Sequence, residues 1–362
     1  MNPMSTSLVT GGAGFIGSHI VDALVAGGHQ VRVLDVLNPA AHDAKPDYLN
    51  DDAQYTWGDI TDPAVAAAAV AGVDAVSHQS AMVGLGVDFA DVDAYVHNND
   101  VGTAMLLRAL HERGFAGRIV LASSMVVYGE GRYRCADHGI VRAAPRARDA
   151  LARSEYDPVC VECGGVLEAQ PVPEDAPVDP RNVYAATKLH QEHLSAAFAR
   201  EHQGTAVTAL RYHNVYGPRM PRDTPYAGVA SIFRSAYERG DAPRVFEDGY
   251  QRRDFVQVRD VARANVAALL CDEAYDGPLN VASGRPHTVL DMAIALGRAF
   301  GADAPTPIVG GGARLGDVRH VFASTERAMA AIGFCAAIGF DEGMHEFASA
   351  PLRAQPNPSL AS

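Results

Sequence analysis

Tyr184 and Lys188 stand at the spacing Tyr-x-x-x-Lys, which on a helix puts a phenol and an ammonium on one face. An ammonium near the ring favours the ionised phenol, and a phenol of ordinary pKa about 10 then works as a base near neutral pH. The same spacing arises by chance in many helices. Here, however, the chain has only two lysines, Lys45 and Lys188, among 30 basic residues, so abundant lysine does not account for it. Arginine would not serve equally, because a delocalised, permanently charged guanidinium differs from a compact ammonium in geometry and hydration.

A second chemistry lies upstream, in the run Gly11-Gly12-Ala13-Gly14-Phe15-Ile16-Gly17. Ser7-Leu8-Val9-Thr10 has the character of a short buried strand, and residues 15–24 have the apolar spacing of a helix. Glycines at such a strand-to-helix turn let the backbone approach a pyrophosphate, which the helix N-terminus receives. A second strand, residues 30–34, ends in Asp35, eighteen residues after Gly17, about where a ribose-binding carboxylate belongs. Asp35 would bond the ribose hydroxyls and repel a 2'-phosphate. Val36 and Leu37 offer no compensating cation, so the expected dinucleotide is NAD rather than NADP.

Cys135-x-x-His138 and Cys160-x-x-Cys163 supply four soft or borderline ligands in two knuckle-like pairs, the donor set of a closed structural zinc site. A closed site has no open position, so its expected role is to brace a loop. The alternative is three free cysteines in a solvated loop. Five cysteines in all is an odd count that does not suggest a disulfide framework, and the paired spacing in a reducing compartment favours zinc.

The elements that must position these groups alternate along the first half. Residues 75–78 and 118–122 are further strand candidates, and helices fit 62–71, 92–114 and 184–202. That rhythm predicts an α/β fold, a Rossmann-like doubly wound parallel sheet with helices on both faces. Residues 131–170, rich in Arg, Cys and Gly, break the rhythm as an insertion. Later segments mix strands and helices as a smaller α/β substrate domain would. With 362 residues, 48% hydrophobic and 20% charged, the composition is that of a globular protein with a large core. A net charge of -13 with no basic stretch argues against a nucleic-acid partner. No apolar run reaches the roughly 18 residues that cross a bilayer, and Met1 to Thr6 carry no signal-peptide pattern, so the expectation is a cytoplasmic protein without a membrane partner.

Taken in order, Thr10-Gly11-Gly12-Ala13-Gly14-Phe15-Ile16-Gly17, Gly58-Asp59-Ile60, His78-Gln79-Ser80-Ala81, Ser123-Ser124-Met125-Val126-Val127-Tyr128-Gly129 and Tyr184-Ala185-Ala186-Thr187-Lys188 resemble the extended short-chain dehydrogenase/reductase family, in particular its NAD-dependent nucleotide-sugar epimerases and dehydratases. Arg211-Tyr212-His213-Asn214-Val215-Tyr216-Gly217-Pro218-Arg219, Arg253-Asp254-Phe255-Val256-Gln257-Val258-Arg259-Asp260-Val261 and Gly316-Asp317-Val318-Arg319 extend the resemblance over nearly the whole chain. It implies an NAD-binding domain over 1–210 with 250–285 partly returning to it, a nucleotide-sugar domain over 211–249 and 286–350, and a frayed tail at 351–362. It also implies catalytic roles for Ser124, Tyr184 and Lys188. Asp59 and Ile60 would flank the adenine, and Gln79, Ser80 and Ala81 would lie beside the cofactor. Asn99 and Ser123 would line the nicotinamide side. Met125 would face the sugar, and Asn214, Arg253, Arg314 and Asp317 would hold the nucleotide diphosphate, the arginines by charge-assisted bonds to phosphate. Structural alternatives stand beside these roles: Asn99 as a turn cap, Asn214 as a loop amide, Arg314 as a solvated side chain. A homodimer is implied through a four-helix interface formed by 99–110 and 184–200.

The resemblance implies that Tyr184 takes the proton of the sugar 4-hydroxyl while hydride leaves carbon 4 for the nicotinamide. A dehydratase then needs an acid and a base where this chain has Met125 and Val126, which have no proton to give. The expected reaction is therefore 4-epimerisation through a transient 4-keto sugar, with a 4-ketoreductase or oxidase as the alternative. A non-catalytic NAD-binding scaffold would carry a damaged constellation, whereas Ser124, Tyr184 and Lys188 are all present. The insertion after Val127-Tyr128-Gly129 resembles that of bacterial dTDP-L-rhamnose 4-epimerases, implying dTDP-L-rhamnose and dTDP-6-deoxy-L-talose as the sugar pair.

Overall fold

Short runs of apolar residues bounded by turns, the pattern of strands covered on both faces, build a seven-stranded parallel sheet. In chain order its strands are Thr6–Thr10, Gln30–Asp35, Gln54–Trp57, Ala75–His78, Arg118–Ser124, Ala206–Tyr212 and Gly277–Val281. Numbered in that sequence they lie side by side as 3-2-1-4-5-6-7. The winding reverses between Thr6–Thr10 and Ala75–His78, paired so that Thr10 faces His78, and a sheet that reverses there opens a crevice at its carboxyl edge. The computed structural model describes residues 5–39, 41–42, 44–84, 89–222, 228–310, 312–313 and 317–353.

One face of the sheet packs Ile20, Val21 and Leu24 of helix Phe15–Ala26 and Val261, Ala264 and Leu269 of helix Val258–Leu270 over Val9, Val33 and Leu279. The other covers Leu8, Val76 and Ile119 with Leu106 and Leu110 of helix Gly102–Glu112 and Phe198 of helix Val183–Glu201. Residues near 258–281 thus return to the first sheet. A second lobe carries Asn214–Tyr216, Arg252–Gln257, Pro286–Thr288 and His320–Val321 in a small mixed sheet. Its separate core includes Phe233, Tyr237, Phe255, Met292, Leu296 and Phe347.

Two stretches differ from expectation. Residues 92–112 are not one α-helix: a helical turn Val92–Tyr95 leads into a π segment, Val96–Val101, before Gly102–Glu112. The wider winding turns Asn99 fully inward, and single π segments of this kind concentrate at functional sites. The insertion is an ordered unit, an antiparallel sheet of Gly139–Val141, Arg132–Cys135 and Glu168–Gln170. Its own core joins Tyr133, Cys135, Cys160, Leu167 and Ala169 to Phe322 of the second lobe. Among the described residues no helix is long and apolar enough to cross a membrane.

Helix Val183–Glu201 begins where the Asn182 side chain accepts from the Ala185 N–H at 2.8 Å, an N-cap. Its inward face is polar, burying Thr187, Lys188, Gln191 and Glu192, so partners rather than apolar contact must hold it. Arg211 supplies them. Its guanidinium forks onto Glu192, Nη2 to Oε2 at 2.7 Å and Nε to Oε1 at 2.9 Å. It also donates to the Tyr128 hydroxyl at 3.0 Å and the Glu174 carbonyl at 2.9 Å. Removing one member of a buried pair leaves a charge without its partner. Glu192→Leu should therefore lower the urea-unfolding free energy by roughly 3–5 kcal/mol, whereas His193→Ala, on the exposed face, should change it by less than about 0.5 kcal/mol. Equal midpoints for the two variants would contradict this account.

Candidate active site

At the carboxyl edge of Thr6–Thr10 the chain turns at Gly11, whose φ of 68° is the left-handed conformation glycine adopts without strain. A side chain there would also press on the Ser80 amide. At Gly17 a Cβ would collide with the Gly11 carbonyl oxygen, so only glycine lets the helix sit this close to the turn. Gly14 caps Phe15–Ala26 with no side chain bonded to the first turn and no acidic residue within it. The N–H groups of Phe15, Ile16 and Gly17 therefore have no intrahelical acceptors and form a cradle shaped for an anion. Asp35 closes the turn, accepting from the Ala13 N–H and the Leu37 N–H, both at 2.9 Å. Tyr48, which no spacing marked, donates to the Ala13 carbonyl at 2.8 Å. The cradle fits a dinucleotide pyrophosphate, with Asp35 at the end of the neighbouring strand where a ribose would lie.

The strand Arg118–Ser124 delivers Ser124 to the same edge of the sheet, and helix Val183–Glu201 lays Tyr184 over it. The Ser124 hydroxyl lies beside the Tyr184 phenol and favours its ionised form. Lys188 stands one helical turn on, its Nζ 5.8 Å from the Tyr184 ring centroid and donating to the Ala122 carbonyl at 2.9 Å. The electrostatics depart from the simple expectation of a lysine-activated phenol. Burial pushes the Tyr184 phenol above its ordinary value, and only the Ser124 hydroxyl opposes this. Burial likewise pulls the Lys188 ammonium down to about 7, against the fields of Asp100 and Glu192. A buried cation whose hydrogen bond goes to a carbonyl activates the phenol weakly, so a further positive charge is needed to ionise it.

Around this pair the polar groups brace one another. His78 bonds the Thr10 hydroxyl at 2.7 Å and the Thr103 hydroxyl at 3.0 Å, and burial lowers it to about 3, keeping it neutral. Gln79 donates to Ser77 at 3.0 Å and Asn265 at 3.1 Å and accepts from the Tyr212 hydroxyl at 3.1 Å. Its amide thus ties the end of strand Ala75–His78 to helix Val258–Leu270. Ser80 donates its N–H to the Thr10 hydroxyl at 3.2 Å, and half-buried Ala81 follows it. Asn99 is fully occupied: it accepts from the Met82 N–H at 2.7 Å and donates to the Met82 carbonyl and the Thr187 hydroxyl, each at 3.0 Å. The Ser123 hydroxyl donates to Glu192, on the same helix that carries Tyr184 and Lys188. Asp59 accepts from the Thr61 N–H at 2.8 Å in a local turn, and Ile60 is buried in the core beside Gly102.

The second lobe presents Asn214, whose buried side-chain oxygen has no hydrogen-bond partner among the described residues. Arg253 donates to the carbonyls of Arg252, Val318 and Arg319 at 2.9, 2.6 and 3.0 Å. Burial lowers its pKa, against the charges of Asp317, Tyr133 and Glu130. The Asp317 carbonyl is gripped by Arg146. Met125 begins a single turn, Met125–Tyr128, and packs beside Val127, Tyr128 and Val172. Arg314 lies outside the described residues. Arg146 was not marked by the sequence, and Arg319 entered only as the last residue of the Gly316-Asp317-Val318-Arg319 motif with no role assigned; their partners lie far along the chain, and no local spacing signals them.

The four insertion ligands converge. Cys135 Sγ lies 3.5 Å from both His138 Nδ1 and Cys163 Sγ, and Cys160 Sγ 3.5 Å from His138 Nδ1. All four ligand atoms fall within 4.8 Å of one another. The N–H groups of Asp137 and His138 point at Cys135, and those of Glu162 and Cys163 at Cys160. With bonds of about 2.3 Å to sulfur and 2.0 Å to nitrogen, a tetrahedral zinc ion separates its ligands by about 3.5–3.8 Å, so the cluster fits that ion.

Comparison with known proteins agrees with this geometry. A model of the NAD dependent epimerase/dehydratase family matches residues 7–147 and 160–282, leaving 148–159 of the insertion unmatched. The dTDP-L-rhamnose 4-epimerase of Burkholderia thailandensis is 34% identical over 345 residues, 94% of this chain and 93% of that protein. The UDP-glucose 4-epimerase of Corynebacterium glutamicum is 26% identical over 338 residues, 90% and 89% of the two chains. Among solved structures, the Thermotoga maritima UDP-glucose 4-epimerase with UDP-glucose superposes with a TM-score of 0.77 at 27% identity, covering 95% of this chain and 97% of that one. The Thermus thermophilus UDP-glucose 4-epimerase complex with NAD gives 0.72 at 30% identity over the same shares. With a family model spanning most of its length and a glycine cradle facing a Ser124–Tyr184–Lys188 cluster, the chain belongs to the NAD dependent epimerase/dehydratase family.

Proposed function

We propose that this protein is an NAD-dependent nucleotide-sugar 4-epimerase interconverting dTDP-L-rhamnose and dTDP-6-deoxy-L-talose. The observation that carries the reading is the juxtaposition of the Ser124 and Tyr184 hydroxyls at the sheet edge that also bears the glycine cradle; the second lobe adds an Asn214 oxygen without a partner among the described residues and the carbonyl-held Arg253. The sugar pair is supported by the Burkholderia relative. A UDP-sugar is the second substrate reading, favoured by the likeness to the Thermotoga enzyme with UDP-glucose.

When bound, NAD supplies a reversible two-electron acceptor for sugar carbon 4 and, in its oxidised form, a positive ring charge near the phenol. Tyr184 then accepts the proton of the 4-hydroxyl, Ser124 holds that hydroxyl in place, and Lys188 adds its charge to the same field. Met125 and Val126 neither donate nor accept a proton, so the residues present support a 4-keto sugar being reduced again rather than losing water. Reduction on the opposite face requires the sugar to turn while the diphosphate stays anchored. Asn214, Arg253, Asp317 and Arg314 are the proposed anchor, and Asp35 and Asp59 the proposed ribose and adenine contacts. Helices Gly102–Glu112 and Val183–Glu201 carry the proposed homodimer face, and zinc the proposed occupant of Cys135, His138, Cys160 and Cys163.

Incubating the protein and NAD with dTDP-, UDP- and GDP-sugars and reading products by NMR should show dTDP-L-rhamnose and its 4-epimer interconverting without net NADH formation. Tyr184→Phe should lose at least about 100-fold in rate while still binding NAD. Loss of water, or stoichiometric NADH consumption, would replace the epimerase reading by a dehydratase or a reductase.

Because Lys45 and Lys188 are the only lysines, 13C-lysine labelling reads Lys188 directly. Its lowered pKa means that in the free chain the ammonium is present below about 7 and lost as pH rises through that value. A midpoint near the ordinary lysine value of about 10.4 would contradict the buried site described above.

Metal analysis should find about one zinc per chain, lost in the Cys160→Ser/Cys163→Ser double variant. A wild-type protein expressed with ample zinc and purified metal-free would rule the zinc site out.

A further inference from the structure

Arg253 donates to three main-chain carbonyls, which orient its guanidinium, and lies in the field of Asp317 and Glu130. Two of the three, Val318 O and Arg319 O at 2.6 and 3.0 Å, belong to a segment that the insertion grips from both sides. Arg146 donates through Nε and Nη2 to the Asp317 carbonyl at 3.2 and 2.6 Å, and through Nη1 to Glu247 at 2.8 Å. The other Glu247 oxygen takes Arg319 Nη1 at 3.1 Å. Arg319, only 2% exposed, also forks onto Asp248 at 2.7 Å twice and reaches Asp157 of the insertion at 2.8 Å. The chain of contacts therefore runs from Arg146 and Asp157 through Glu247 and Arg319 to the carbonyls that aim Arg253. Asp157 falls inside the stretch 148–159 that the family model leaves unmatched, and Arg146 stands at its edge. Arg146 itself lies within the matched residues 7–147.

We infer that Arg146 and Asp157 are positioning residues for the diphosphate subsite: the insertion sets the direction of Arg253, and with it the preference for a nucleoside diphosphate over a monophosphate. The inference rests on the proposed reading that Arg253 contacts the diphosphate. Neither residue needs to touch the ligand. Their effect is to hold the 317–319 backbone in the one arrangement that points the guanidinium at the subsite, so their loss should weaken diphosphate binding selectively and spare the dinucleotide cradle on the other lobe.

The test measures calorimetric affinities of the full-length protein for dTDP, UDP, dTMP and UMP, with NAD affinity and melting temperature alongside. Arg146→Ala should lose about tenfold for the two diphosphates, change monophosphate and NAD affinity by less than about twofold, and raise KM with kcat preserved. Arg146→Lys keeps a donor for Glu247 but not the two-pronged grip on the Asp317 carbonyl, so it should fall between wild type and Arg146→Ala. It also carries the test if the alanine variant does not fold. Asp157→Asn should move in the same direction. In an Arg253→Ala background, Arg146→Ala should cost nothing further, because the group it positions is already gone. Unchanged diphosphate affinity in both Arg146 variants would overturn the inference. So would an equal loss for monophosphates and diphosphates, or a full additive loss on top of Arg253→Ala. A wild-type protein that binds diphosphates no better than monophosphates would instead overturn the reading of Arg253 itself, and this inference with it.

Discussion

The bidentate pair between Arg211 and Glu192 is the contact on which the candidate site most depends. It joins the sixth strand of the sheet to the helix that carries Tyr184 and Lys188, and its remaining donors hold Tyr128 and the Glu174 carbonyl. The Tyr128 hydroxyl passes the connection on to Asn280 at 2.8 Å, and Asn280 donates to the carbonyls of Val172 and Ser324 at 2.9 and 3.1 Å. Ser124 sits between two residues, Ser123 and Tyr128, whose hydroxyls are both in this network. The proposed reacting hydroxyls are thus flanked by charge-assisted bonds in a buried interior, the kind of support that orientation of reacting groups requires.

The same burial sets the electrostatics. Burial raises Tyr184 and lowers Lys188 and His78, so the site without its cofactor favours neutral forms. A site of this kind is poised by what enters it. A cationic ring beside the phenol would do most where water is excluded, because charges interact more strongly at low dielectric. On the second lobe burial also lowers Arg253, against the charges of Asp317 and Glu130, and main-chain carbonyls direct its guanidinium.

Much of the first lobe was legible in the sequence because its strands are short apolar runs and its motifs are local. Residues 75–78 and 118–122 read correctly as strands, and Tyr184, Lys188 and Ser124 were found by spacing and resemblance. Gln54–Trp57 was not, since an edge strand with exposed positions lacks the apolar run that marks a central one. The π segment at Val96–Val101 was invisible because it differs from an α-helix by the winding of a few residues, not by composition. The occupancy of Asn99 and Ser123 by protein partners, and the direction of the tyrosine shift, depend on burial that arises only when distant segments meet. Arg146, and the role of Arg319, escaped notice for the same reason: Arg146 finds the Asp317 carbonyl 171 positions away, and Arg319 finds Asp157 162 positions away.

The seventh strand, Gly277–Val281, comes from beyond most of the small mixed sheet, yet it zips onto Ala206–Tyr212 along five residue pairs. The dinucleotide lobe is therefore a discontinuous unit. A fragment stopped near residue 210 would leave that strand's amide and carbonyl row open, an edge that invites pairing with another chain. During synthesis the same edge waits for its partner while some 65 further residues emerge, several seconds at ribosomal speed. The first lobe is in this sense closed by a single late event, and the architecture favours inheriting both lobes together over exchanging either one alone.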